Sequence, residues 1–258
     1  MHGSGGLAGL RLAVTGGSRG LGGEIVRRAL AQGAVVAACA RGSEHLAVLA
    51  REAGEAPLFT TVTDVAQPGS VEEFVGFAAE AMGGIDGVVA CAGGARGRGL
   101  AEATAEDWTW TWEVNAGHSA RLLAAAAPYL RAGGGGSAVV VSSISGWKPG
   151  PQSQYGAAKA AQLHLVSSLA RELAPDGIRV NAVSPGSMLI EGKRWDRLRR
   201  EEPEEFARLV AEVPGGRLVT PREVAEVVLF LLSDVSSGVS GANVPVDRAQ
   251  NAPGPQGY

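Results

Sequence analysis

The chain has almost nothing with which to cross-link itself: 258 residues contain two cysteines, Cys39 and Cys91. Each closes a predicted strand. If these are the second and fourth strands of a sheet with the first between them, the thiols lie about two strand spacings apart, beyond disulfide reach, and both read as buried thiols. No uninterrupted apolar run is long enough to span a bilayer. Residues 1–6 lack the charged start and apolar core of a signal peptide and read as a disordered tail, so a soluble, cytoplasmic protein is expected. Positive charge is not in excess: 23 Lys and Arg face 26 Asp and Glu, a net charge of −3, and with no basic face nucleic acid is not an expected partner. No metal site is expected. No linker divides the chain, so it is read as one α/β domain large enough for a single core.

What is present is glycine, 38 residues of it, with 45% hydrophobic and 19% charged residues, the composition of a soluble protein with many tight strand-to-helix turns. Strands are predicted at Leu10–Val14, Ala34–Ala40, Leu58–Val62, Gly87–Cys91, Ala138–Val141, Arg179–Val183 and Gly241–Val246, with helices between them. Strict alternation implies right-handed crossovers and a mostly parallel sheet. The first strand runs into Thr15-Gly16-Gly17-Ser18-Arg19-Gly20-Leu21-Gly22 and a helix from Glu24 to Gln32. Strand, glycine turn and helix aim backbone N–H groups at a phosphate, and glycine lets the backbone approach a pyrophosphate. At the end of the second strand stands Arg41, with no Asp or Glu from 34 through 43. A carboxylate there suits a ribose 2′-hydroxyl, whereas arginine accommodates a 2′-phosphate. With Arg19 as a second cation, NADP(H) is favoured over NAD(H).

Asp64, in Thr63-Asp64-Val65 at the end of the third strand, is placed to meet an adenine amino group, with an Asx turn as the competing use. After the fourth strand, Ala92-Gly93-Gly94 would let a flat ring lie against the backbone. A long helix is expected from Glu106 to Leu130, interrupted near Gly117 and Pro128. Asn115 falls in it among apolar neighbours, where an amide is costly unless hydrogen-bonded, suggesting a local break that binds water. Trp108, Trp110 and Trp112 alternate along it, off any one helical face, and read as a mixture of packing and subunit contact. Tyr155 and Lys159 are one turn apart on the helix Gln152–Leu173. An ammonium beside a phenol stabilises phenolate and would pull the tyrosine pKa down, fitting Tyr155 for proton transfer near neutral pH.

The set Thr15-Gly16-x3-Gly20-x-Gly22, Asp64, Cys91-Ala92-Gly93, Asn115, Ser143, Tyr155-x3-Lys159 and Pro185-Gly186 resembles the short-chain dehydrogenase/reductases, in particular members similar to 3-oxoacyl-[acyl-carrier-protein] reductase. The resemblance covers essentially the whole chain and implies a single-domain Rossmann fold over residues 7–258, a doubly wound seven-stranded parallel sheet with helices on both faces. It implies that Tyr155 exchanges a proton with a ketone or alcohol oxygen, that Lys159 holds the nicotinamide ribose and lowers the Tyr155 pKa, that Ser143 polarises the carbonyl, and that Asn115 holds a water linking Lys159 to solvent. The cofactor contacts it implies are Gly16, Ser18, Arg19, Gly20, Leu21, Gly22, Arg41, Asp64, Val65, Ala92, Gly93, Pro185, Gly186 and Met188, besides Tyr155 and Lys159.

The chain departs from the family pattern at several points. Counting back thirteen residues from the tyrosine picks Ser142, while the local Ser-x-x-Gly pattern picks Ser143; the second is preferred, because shortening the loop costs less than flipping a strand end. The usual Asn-Asn-Ala-Gly is Ala90-Cys91-Ala92-Gly93, which removes two amides that tie the turn. Ile190 stands where a carboxamide-fixing threonine is common, leaving that task to backbone near Met188. Val246-Asp247-Arg248-Ala249 replaces Val-Asp-Gly-Gly. A substrate lid is expected at about 187–215, with Trp147, Met188 and Trp195 as an apolar lining for a bulky ketone; 3-oxoacyl and polyketide-like carbonyl compounds are the candidates. Arg194, Arg197, Arg199 and Arg200 could meet an acidic carrier protein, but interleaved Glu191, Glu201 and Glu202 favour a solvated helix face. A homotetramer is the family expectation. The competing reading is a regulatory or scaffolding NADP-binding protein without turnover; retention of Ser, Tyr, Lys and Asn together favours the enzyme.

Overall fold

A computed structural model describes residues 6–251; of the expected tail at 1–6, residues 1–5 lie outside the described residues. The elements follow in order as β1 (Arg11–Thr15), α1 (Gly20–Ala31), β2 (Val35–Ala40), α2 (Ser43–Ala53), β3 (Leu58–Val62), α3 (Ser70–Met82), β4 (Gly87–Ala90), a short α4 (Gly99–Glu102) and α5 (Ala105–Trp112). After them come a π turn (Glu113–Gly117), α6 (His118–Ala132), β5 (Gly136–Val141), α7 (Ser153–Leu173), β6 (Ile178–Pro185), α8 (Arg194–Glu201), α9 (Pro203–Ala211), α10 (Pro221–Leu232) and β7 (Asn243–Val246). The seven strands pair in parallel in the order β3-β2-β1-β4-β5-β6-β7.

Helices cover both faces, which is why the central strands are apolar throughout rather than alternating with polar residues. The alternation instead divides two cores. Ala13, Ala37, Val88, Ala90, Val140 and Ala182 pack against α3, α6 and α7; Leu12, Val14, Val36, Val89, Val139 and Val183 pack against α1 and α10. The order breaks direction between β1 and β4, opening a crevice at the carboxyl ends of these strands where such sheets bind ligands. Cys39 and Cys91 flank β1, Thr15 pairing with Cys39 on one side and Ala90 on the other; both cysteines are free, and burial pushes each thiol up to about 12.

Two predicted elements differ. The first helix begins at Gly20 rather than Glu24, so the last glycines of the turn form its first turn. The long helix is divided by the π turn centred on Asn115, the expected local break, whereas Pro128 does not interrupt α6. The helix continues through it to Ala132.

Candidate active site

The turn after β1 is shaped by contacts that leave no room for a side chain. A Cβ on Gly22 would lie 2.1 Å from the Gly16 carbonyl oxygen, and one on Gly16, whose φ is +69°, would lie 2.8 Å from the Ala92 backbone. Glycine alone allows the turn to fold under α1 and touch the loop after β4. That loop lacks the two amides expected to tie it, and Thr15 takes their place. Its Oγ1 accepts from the N–H groups of Cys91 (3.1 Å) and Ala92 (3.4 Å) and lies 3.2 Å from His118 Nε2. Thr15 and His118 are both fully buried, and burial pulls the imidazole down to about 3, with the nearby Lys159 charge assisting, so it is neutral at physiological pH.

Of these residues, Gly16, Gly22, Cys91 and Ala92 line a cavity of about 610 Å³ reaching from Arg19, Arg41 and His45 to Tyr155 and Lys159. Ser18, Gly20, Leu21, Val65, Gly93, Pro185, Gly186 and Met188 are also on its wall. Asp64 is not; its Oδ1 accepts from the Ala66 N–H at 3.1 Å, an Asx turn that orients Thr63 and Val65 into the cavity. Asn115 is fully buried. Its amide donates to the carbonyls of Gly94 and Thr111, each at 2.7 Å, and its backbone carbonyl accepts from the Ser119 hydroxyl and the Gln162 amide besides the His118 N–H. Its Oδ1 is buried without a partner among the described residues. That oxygen lies 2.9 Å, and Lys159 Nζ 3.5 Å, from the point where a Cβ on Gly93 would sit. A dinucleotide fits this surface: a bare backbone floor, cations at one end, and an orphaned acceptor beside an ammonium at the other.

A second cavity, about 730 Å³, is lined by Trp147, Met188 and Trp195 and shares Ser143, Gln152 and Tyr155 with the first. Of the two candidate serines, Ser142 is turned away, its Oγ donating to the Lys159 carbonyl at 3.0 Å. Ser143 faces both cavities, and Tyr155 lines the same two.

The electrostatics correct one expectation. Lys159 Nζ donates to the Val141 carbonyl at 2.9 Å and lies 5.5 Å from the Tyr155 ring centroid. Aimed at the strand end, it does not hold the phenol down. Burial pushes the Tyr155 hydroxyl above its ordinary value, countered in part by Ser143, and burial pulls the Lys159 ammonium down to about 8. In this geometry desolvation of two groups in one dry site outweighs their mutual stabilisation, and Tyr155 is a protonated phenol at neutral pH.

Segment 187–202 lies across the cavities. Ile190 rests on the glycine turn, its Cγ2 lying 3.2 Å from where a Cβ on Gly20 would be. Asp196, 2% exposed, accepts from the Gly192 N–H at 2.9 Å and pairs with Arg199 (2.9 Å) and Arg200 (2.8 Å). Trp195 meets Phe206 edge to face at 6.4 Å. Sequence reasoning missed Lys193, His45 and Gln152 on the cavity walls and the Thr15–His118 pair; the only sequence signal was Arg41 without an acid, which calls for further cations nearby.

The model of the family described as enoyl-(acyl carrier protein) reductase matches residues 16–248. The chain belongs to the short-chain dehydrogenase/reductase family. It is 36% identical over 250 residues to the isoepoxydon dehydrogenase of Penicillium expansum, covering 94% of this chain and 95% of that one. It is 34% identical over 237 residues to the 3-oxoacyl-[acyl-carrier-protein] reductase of Thermotoga maritima, covering 91% and 94%. Among solved structures, L-sorbose reductase from Gluconobacter frateurii, complexed with NADPH and L-sorbose, superposes with a TM-score of 0.86 at 29% identity, covering 93% of this chain and 96% of that chain. The chain is thus an oxidoreductase of the short-chain dehydrogenase/reductase family with this family's seven-stranded Rossmann-type sheet. No helix among the described residues is long and apolar enough to cross a membrane.

Proposed function

We propose that the chain is an NADP(H)-dependent ketoreductase that interconverts a bulky ketone and its secondary alcohol. The observation that carries the reading is the convergence of Ser143 and Tyr155 on the wall shared by the two cavities. A nicotinamide bound in the first cavity would supply or accept the hydride. A carbonyl oxygen in the second then accepts hydrogen bonds from the Tyr155 and Ser143 hydroxyls, and Tyr155 gives up its proton as negative charge develops there. A phenol kept protonated by burial suits the reductive direction at neutral pH. Lys159, at about 8, stands beside the Asn115 acceptor as the group that returns the proton to Tyr155. Arg19 and Arg41, with no acid on the second strand's end, support a 2′-phosphate and hence NADP(H). The apolar walls from Trp147, Met188 and Trp195 support a bulky or ring-bearing substrate, in keeping with the relatives' names, and a 3-oxoacyl chain on a carrier protein fits the same opening.

A cytoplasmic homotetramer goes with this reading; the exposed Phe77, Trp112 and Tyr129 supply apolar surface for assembly, which sedimentation tests. The decisive experiment follows NADPH oxidation over a panel of cyclic and 3-oxoacyl ketones. Tyr155→Phe is expected to lower kcat by roughly 10²–10⁴-fold, the range for losing a positioned proton donor, while cofactor affinity stays within about twofold. No turnover by the wild type, or equal rates for the variant, would instead support a binding protein without catalysis.

A further inference from the structure

The cavity's basic end carries a cation that does not come from the cofactor-binding turns. Lys193 lies on the lid just before α8 and lines the cavity together with Arg19, Arg41 and His45. Of the lid's other basic residues, Arg197 also acts on Lys193 through its charge and Arg194 also lines the cavity, while the rest are differently employed. Arg199 and Arg200 are neutralised by the buried Asp196, and Arg194 lies over the Trp195 ring at 5.4 Å. Among the described residues, none of Arg19, Arg41 and Lys193 forms an ion pair, although the chain makes twelve such pairs elsewhere. Three unpaired cations converging on one wall of a concave site repel one another unless an anion lies between them. Burial, together with the charges of Arg19, Arg41 and Arg197, holds the Lys193 ammonium below its ordinary value.

We propose that Lys193 completes a three-cation clasp with Arg19 and Arg41 around the 2′-phosphate of NADP(H), so that the phosphate that selects the cofactor also holds the lid down. The proposal rests on the NADP(H) reading above and extends it from the two cofactor-binding turns to the substrate lid. The Ile190 contact on Gly20 sets this segment against the glycine turn three residues before Lys193, and the Lys193 side chain lines the same cavity as Arg19 and Arg41. An unphosphorylated ribose offers the lid no such partner, and NAD(H) would occupy the same floor beneath a looser lid.

The test compares binding of NADP⁺, NAD⁺ and 2′,5′-ADP to the whole protein by calorimetry for wild type, Lys193→Gln, Lys193→Arg and Arg41→Gln, with hydrogen exchange of residues 188–202 as a second readout. For Lys193→Gln the expected result is a roughly three- to tenfold loss of affinity for NADP⁺ and 2′,5′-ADP, the scale of one partly exposed charge pair, with NAD⁺ unchanged. Lys193→Arg should restore affinity. NADP⁺ should protect the lid amides in the wild type more than NAD⁺ does, and Lys193→Gln should erase that difference. If Arg41→Gln abolishes the preference for NADP⁺ but Lys193→Gln leaves affinity and protection unchanged, the cofactor reading stands and the clasp is refuted. Equal loss for NADP⁺ and NAD⁺ in Lys193→Gln also refutes it. If the wild type itself binds NADP⁺ no more tightly than NAD⁺, the cofactor reading fails and takes the clasp with it.

Discussion

Where Ile190 rests on Gly20, two regions meet that are held in place by different physics. The floor around the glycine turn is fixed by atoms with no room to move: Gly22 against the Gly16 carbonyl, Gly16 against the Ala92 backbone, Thr15 and His118 bonded at its centre. The proposed lid has few buried side chains and is organised by the Asp196 carboxylate and its partners. Close packing in an interior responds to a single added carbon, while ion pairs whose arginines are about half exposed contribute little stability and yield to salt. The floor should therefore fail by unfolding or by losing the cofactor, and the lid by losing order while the fold survives.

The strongest way to break this contrast is Gly22→Ala. With its Cβ directed at a backbone carbonyl, the substitution is expected to cost roughly 1–3 kcal/mol of stability and to abolish detectable cofactor binding; thermal unfolding and calorimetry read both. A fully stable variant with normal affinity would mean that the floor is as pliable as the lid.

A smaller effect should come from His118. Its pKa is depressed in the folded protein, to about 3 from an ordinary value near 6.5, so the unfolded chain binds the proton more readily. Stability is then fully present above about pH 6.5 and is lost as pH falls from there toward 3, at no more than about 1.4 kcal/mol per pH unit for one proton. Urea unfolding between pH 7.5 and 4.5 should show a steeper fall in wild type than in His118→Asn; parallel curves would remove the imidazole from the floor.

Relief of strain should be smaller still. Arg248 and Ala249 have positive φ, 54° and 62°, at the two positions where the family pattern has glycines, and Asp247 fixes the turn by accepting from the N–H groups of Ala249 (3.1 Å) and Asn251 (3.0 Å). Ala249→Gly is expected to stabilise by up to about 1 kcal/mol, a left-handed residue costing an L side chain roughly 1–2 kcal/mol, less the extra freedom glycine gives the unfolded chain. Measured destabilisation would show that the strain is absorbed elsewhere. Least affected in global stability should be Asp196→Ala, whose melting temperature should remain close to wild type while limited proteolysis of residues 188–202 speeds up. Equal proteolysis would show that the lid is not held by that carboxylate.

Much of the candidate cofactor floor was legible in the chain because its constraints are local. A strand running into Gly16-x3-Gly20-x-Gly22, the missing acid before Arg41, and Tyr155 one turn before Lys159 each act within a few residues, and the alternation of strands and helices leaves few topologies open. Asn115 announced a local break in the helix, because a buried amide there must find partners, but not that the break is a π turn. Which way Lys159 points was not legible, and neither was the protonated state of Tyr155. Both depend on where the Val141 carbonyl ends and on how much water the closed sheet edge excludes. The Thr15–His118 bond and the approach of Lys193 to Arg19 and Arg41 join residues 103 and more than 150 positions apart, and no spacing in a sequence encodes a distance across a sheet. The sequence by itself determined the alternating elements, their mostly parallel pairing and the chemistry placed at their ends, because these follow from periodicity and turn geometry, while the doubly wound seven-stranded sheet came with the family resemblance. Only the tertiary structure decided the charge states and the partners at the site, because desolvation and Coulomb forces act through space rather than along the chain.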